Sequence, residues 1–238
     1  MIFASAKDHV RIYSGEFVKE FRWQKDPSLY PLIQFSSDYK DEPSIRFAPS
    51  QGVWNAENEK SIPDEYRKYV RQDDVLTDSY MLSDCGQKKL TSDLICFLTD
   101  RRLPIKEIQS VTMLTQGIFD ALCTQDQIES LRIKWLNGKD ISKIANLKNL
   151  KKLFIERGSR INDITPLTSL SNLEVLILGE TNKITDYSCI SALKNLKVFS
   201  VCAYQSSVVS HVKMISTDFL YDMPSLEFVD IVDVKISK

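Results

Sequence analysis

Residues 128–201 read IESLRIKWLNGKDISKIANLKN (128–149), LKKLFIERGSRINDITPLTSLSN (150–172), LEVLILGETNKITDYSCISALKN (173–195) and LKVFSV (196–201). One apolar-x-x-apolar-x-apolar pattern opens each line: Ile128/Leu131/Ile133, Leu150/Leu153/Ile155, Leu173/Leu176/Leu178 and Leu196/Phe199/Val201. The steps between lines are 22, 23 and 23 residues. A second pattern keeps phase with the first. Asp140-Ile-x-x-Ile144-x-x-Leu147-x-Asn149 aligns with Asp163-Ile-x-x-Leu167-x-x-Leu170-x-Asn172 and with Asp186-Tyr-x-x-Ile190-x-x-Leu193-x-Asn195. Two patterns locked in register mark a repeat architecture, in which each unit buries its apolar face only against its neighbours.

Weaker units extend the series. Ile108-x-x-Val111-x-Met113 lies 20 residues before Ile128 and fits the strand pattern. Leu226-x-x-Val229-x-Ile231 lies 30 residues after Leu196, which places an insertion within residues 203–217. Six strands are expected, the outer two less regular.

The wording of these units, above all Ile161-Asn-Asp163-Ile164-Thr-Pro166-Leu167-Thr-Ser-Leu170-Ser-Asn172-Leu173, resembles the leucine-rich-repeat family in its short bacterial, internalin-like type. The resemblance implies an α/β solenoid of about six parallel strands with short helical turns on the convex face. It covers residues 105–238. The asparagine that the family places three residues after the third apolar position is displaced. Leu136, Gly158, Thr181 and Tyr204 stand there, and Asn137, Ser159, Asn182 and Gln205 follow as candidates to satisfy the turn.

Residues 1–104 carry no repeat and read as an α+β region suited to capping the solenoid's first unit. HVRIY (9–13), FVKEFRW (17–23), YPLIQF (30–35) and PSIRFAP (43–49) have strand composition, and Ser14-Gly15 predicts a hairpin between the first two. Ser61-Ile-Pro63 predicts a helix start with Tyr66, Tyr69 and Val70 on one face, and a second helix is expected from about Leu90 to Leu103-Pro104. At the other end Val234 and Ile236 alternate with polar residues and predict an edge strand, so that either this tail or a partner covers the solenoid's last edge.

Composition narrows the function. A net charge of −1 with 43% hydrophobic residues gives no global pull toward nucleic acid or an anionic membrane. Cys85, Cys96, Cys123, Cys189 and Cys202 are odd in number and lack a CxxC pair, which favours reduced thiols in a cytoplasm over disulfides or zinc. The apolar start is broken at Lys7 and Asp8, too early for a signal peptide. His9 and His211 belong to no nucleophile motif, and no phosphate-binding glycine loop occurs. Asp140, Asp163 and Asp186 recur at one repeat position, which points to capping rather than acid–base work. The lysines of residues 139–152 lack an aromatic stacking platform, which argues against nucleic acid. No catalytic residue, metal site or cofactor is expected.

Alternation along the strands decides what faces outward. Phe154, Val175, Ile177, Val198 and Phe228 form an apolar outward strip, with Arg132, Lys134, Lys152, Glu156 and Asp230 flanking it. An apolar centre with a charged rim is the anatomy of a protein-binding patch. The competing reading is that the N-terminal region or the 203–217 insertion folds over the strip. The functional expectation is a non-catalytic, cytoplasmic interaction protein with a protein partner, of which an immunity protein inhibiting a toxin or nuclease is one form. The alternatives are a secreted effector or adhesin acting on host proteins, and a small N-terminal enzyme whose repeats choose its substrate.

Overall fold

The two phased patterns build the two sides of a solenoid. The computed structural model describes residues 2–6, 9–13, 53–55, 68, 70–72, 79–100, 102, 106–203, 212–232 and 234–237. The strand pattern yields β6 (Glu107–Leu114), β7 (Ser130–Leu136), β8 (Lys152–Ile155), β9 (Val175–Gly179), β10 (Val198–Cys202) and β12 (Phe228–Val232). All five neighbouring pairs among these six strands are parallel. The six strands expected from the sequence are therefore present. The register stacks like on like: Ile108, Leu131, Leu153, Leu176, Phe199 and Val229 form one inward row. All six are buried. Side chains buried in this way contribute about 1.5–3 kcal/mol each, which is what holds units this short together.

The second pattern forms four 3-10 turns on the convex side: Ser142–Asn146, Thr165–Ser169, Ser188–Ala192 and Asp218–Asp222. Ile144, Leu167, Ile190 and Leu220 point from them into the core. The recurring aspartates cap the first three. Asp140, Asp163 and Asp186 each accept a hydrogen bond at 2.8 Å from the backbone N–H two residues on, at Ser142, Thr165 and Ser188. The same backbone bonds hold the Asp140 and Asp186 carboxyls below the usual carboxylate range. The recurring asparagines link units instead. Asn149, Asn172 and Asn195 donate to the carbonyls of Asp126, Lys148 and Ser171 in the preceding turn.

The ends differ from expectation. At the first unit, α1 (Asp84–Asp100) packs on α2 (Gln116–Leu122), with Leu98 in the common core. The helix begins six residues before the expected Leu90. At the last unit the sheet continues into the N-terminus. β2 (His9–Tyr13) pairs antiparallel with β12, and β1 (Ile2–Ala6) pairs antiparallel with β2. The first strands thus close the far edge rather than the near one. Residues 9–13 do form a strand, but its hairpin partner is the upstream β1. The runs 17–23, 30–35 and 43–49 lie outside the described residues.

The tail forms β13 (Val234–Ile236), which pairs in parallel with β11 (Val212–Met214) of the insertion rather than with the solenoid sheet. β3 (Val53–Asn55), β5 (Ser79–Leu82) and β4 (Val70–Gln72) make a separate antiparallel sheet. Val70 is therefore in a strand, not on the expected helix; Tyr66 and Tyr69 lie outside the described residues. All five cysteines are free thiols.

Candidate protein-binding face

Three rows of side chains run across the parallel strands, and each treats solvent differently. The middle row is the outward face of the sheet. Arg132, Phe154, Ile177, Ser200 and Asp230 occupy one line of it, and Ser130, Lys152, Val175, Val198 and Phe228 the next. Register thus brings the sequence-selected residues together. Their exposure is another matter. Phe154, Val175, Ile177, Val198, Phe228 and Asp230 are each at most 5% exposed within the single chain. This corrects the expectation of an open apolar strip. One face of a bare sheet would leave these side chains wet, whereas here they are buried. Of the residues selected from the sequence, those still in contact with water lie at the first rungs. Lys134 is exposed, and Arg132, Lys152 and Glu156 are partly so. Arg132 donates from Nε to Glu156 Oε1 at 2.6 Å, tying adjacent strands.

Beside the strand starts runs a second row: Lys106, Glu129, Lys151, Glu174, Lys197 and Glu227. Its charge alternates at every rung. The Glu129 backbone carbonyl accepts from the N–H groups of both Lys151 and Lys152, and the pattern repeats at Lys151, Glu174 and Lys197. Lys151 Nζ lies 2.8 Å from Glu129 and Lys197 Nζ 2.9 Å from Glu174. Lys106 also pairs with Glu129. Hydrogen bonds from Lys106 and Lys151 lower the Glu129 carboxyl from 4.5 to about 2. This row was not read from the sequence, although the signal was there in the residue just before each first outward position.

The third row lies where the strands give way to the turns. Trp135, Arg157 and Glu180 take equivalent positions in successive units. The Arg157 guanidinium sits 6.0 Å from the Trp135 ring centroid, and its Nε lies 3.5 Å from Glu180 Oε1. Trp135 stays 40% exposed. Glu180 reaches its place with φ of 52°, the only non-glycine left-handed residue among those described. The residues at the family's asparagine position turn inward: Leu136, Gly158 and Thr181 are all buried. Asn137, expected to satisfy the turn's backbone, instead accepts from Arg160 Nη1 at 2.7 Å through its side-chain oxygen.

Among the described residues no group of three or more His, Cys, Asp or Glu could hold a metal ion, and no helix is long and apolar enough to cross a membrane.

Residues 97–181 match a family model described as R13L1/DRL21 LRRs. Two solved structures show the likeness at low identity. An internalin (inlF) from Listeria monocytogenes is 19% identical, with 56% of this chain and 42% of that one covered and a TM-score of 0.39. Internalin C2 (inlC2) from the same species is 22% identical, with 60% and 67% covered and a TM-score of 0.34. The chain therefore spans less than half the length of the first of these. No curated protein matches the sequence.

Proposed function

We propose that this chain, a leucine-rich-repeat protein, is a non-catalytic binding protein whose partner is another protein. Its finer role on this reading is that of a cytoplasmic immunity or inhibitor protein that neutralises a bacterial toxin or nuclease. The leucine-rich-repeat fold itself suggests protein–protein interaction. The observation that supports the reading most is the uneven exposure of the outward face. Phe154, Ile177 and Phe228 are packed away, whereas Lys134 is exposed and Arg132, Lys152 and Glu156 are partly so on rungs fixed by backbone hydrogen bonds. A rigid charged edge meets a partner without paying to order loops, and charges there raise encounter rates. That combination suits an inhibitor that must capture its target quickly.

The test is co-expression. The protein encoded next to this gene is produced in a bacterial host with and without this chain, and growth is followed together with complex formation on a sizing column. Rescue of growth and a co-eluting complex support the reading. A toxic neighbour that this chain neither binds nor neutralises would reject the immunity role.

A further inference from the structure

Trp135 combines three properties that rarely meet by chance on a solvated surface. It is the largest side-chain type, it is 40% exposed, and it carries a guanidinium against its ring. Tryptophan and arginine together are the residue types in which binding energy concentrates. Cation–ring contact also holds the indole in one orientation.

The ground beneath Trp135 is stiff. Leu136 N–H donates to the Arg157 carbonyl at 3.0 Å and Asn137 N–H to the Leu114 carbonyl at 2.9 Å. Gln116 clamps the following turn. Its Nε2 donates to the Asp140 carbonyl at 2.7 Å and its Oε1 accepts from the Asp140 N–H at 3.2 Å. Gly138 permits this approach, since a Cβ there would lie 2.4 Å from Gln116 Oε1. A partner landing on this turn finds it already ordered.

The charge around the indole is one-sided. Lys134 and Lys139 are exposed, and Arg160 is exposed against a neutral amide oxygen. Of the nearby anions, Glu180 faces Arg157 and Asp140 is committed to the Ser142 N–H. Cations outnumber anions around the ring, with Lys134, Lys139, Arg157 and Arg160 against Asp140 and Glu180. A single exposed ring gives no run of platforms for successive stacked bases, so the complement of this cationic turn is an acidic polypeptide rather than an oligonucleotide.

We propose that the turn carrying Lys134, Trp135, Lys139, Arg157 and Arg160 anchors an acidic segment of the partner protein. Partner carboxylates meet the lysines and Arg160, and an apolar or aromatic side chain lies on the Trp135 ring. This rests on the protein-binding reading and gives it a place and a partner chemistry.

The test uses the full chain and a random glutamate–tyrosine copolymer as probe, with polylysine and a single-stranded oligonucleotide as controls. Indole N–H resonances are followed at low salt, and the Trp135 signal is identified by its loss in Trp135→Phe. The copolymer should shift that signal saturably, polylysine should not, and Lys134→Glu should weaken binding at least about fivefold. Lys143→Glu, on a convex turn, should leave it unchanged. An unmoved Trp135 signal, equal binding by Lys134→Glu, or tighter binding of the oligonucleotide would overturn the proposal. Growth rescue tells the two readings apart. Rescue by wild type that persists undiminished in Trp135→Ala/Lys134→Glu rejects this anchor alone, whereas no rescue by wild type rejects the immunity role.

Discussion

The hydroxyls of Thr181 and Tyr187 share a hydrogen bond at 2.8 Å in the middle of the solenoid core, with Thr181 0% and Tyr187 1% exposed. Thr181 stands at the position held by Leu136 and Gly158 in the preceding units, and Tyr187 at that held by Ile141 and Ile164. One unit has exchanged an apolar contact for a matched polar pair. The Tyr187 ring also meets Phe199 edge-on, and Phe199 meets Phe219. Burial pushes the Tyr187 phenol up to about 12, so it stays a neutral partner. Tyr187→Phe should cost about 1–2 kcal/mol by leaving the Thr181 hydroxyl unpaired. The double change Thr181→Val/Tyr187→Phe should cost less than the two single changes added together. Urea unfolding of the four proteins measures the coupling, and strict additivity would refute it.

Phe154 decides whether the outward face is packed. Its burial places Phe154→Ala in the range of about 3–5 kcal/mol lost, as for an aromatic removed from a core. Phe154→Asp should lose more, because a carboxylate would enter the same space without a partner. A Phe154→Asp protein as stable as wild type to guanidinium would mean that the face is open.

Glu129 gives the stability a pH signature. Its carboxyl is depressed in the folded chain, from 4.5 to about 2, so the associated stabilisation is present above 4.5 and lost as pH falls toward 2. Its side chain is about a third exposed, which limits the effect to less than about 1 kcal/mol. Glu129→Gln should flatten this part of the acid limb, and raised salt should shrink the difference. Thermal melts between pH 2 and 5 would reveal it; parallel limbs for the two proteins would count against the paired geometry.

Asp163 tests the capping reading of the recurrent aspartates. Asp163→Ala should destabilise by about 0.5–2 kcal/mol through loss of the bond to the Thr165 N–H, while Asp163→Asn should keep most of it. An equal drop in melting temperature for both would show that charge, not the hydrogen bond, matters there.

The solenoid was legible because its code is local and repeated. Leu153 and Leu176 report their own burial through spacing alone, and Asp140, Asp163 and Asp186 report their role through recurrence. The outward strip was legible as a row but not as a surface, since alternation says which way Phe154 points and nothing about what lies upon it. The pairing of β2 with β12 joins residues more than two hundred positions apart, and no pattern within either strand names the other. Trp135 was passed over for a related reason. Its parity matches the inward Leu131 and Ile133, but alternation breaks at the end of the strand, where Lys134 and Trp135 are both exposed and Leu136 is buried.

The alternation from Lys106 to Glu227 limits how the molecule can change length. Excising residues 152–174, one full unit, would keep every leucine in phase yet set Lys151 beside Lys197. Duplicating one unit makes the same fault, with lysine against lysine or glutamate against glutamate. Gains or losses of an even number of units preserve the sequence of signs, so a two-unit change keeps every rung facing an opposite charge.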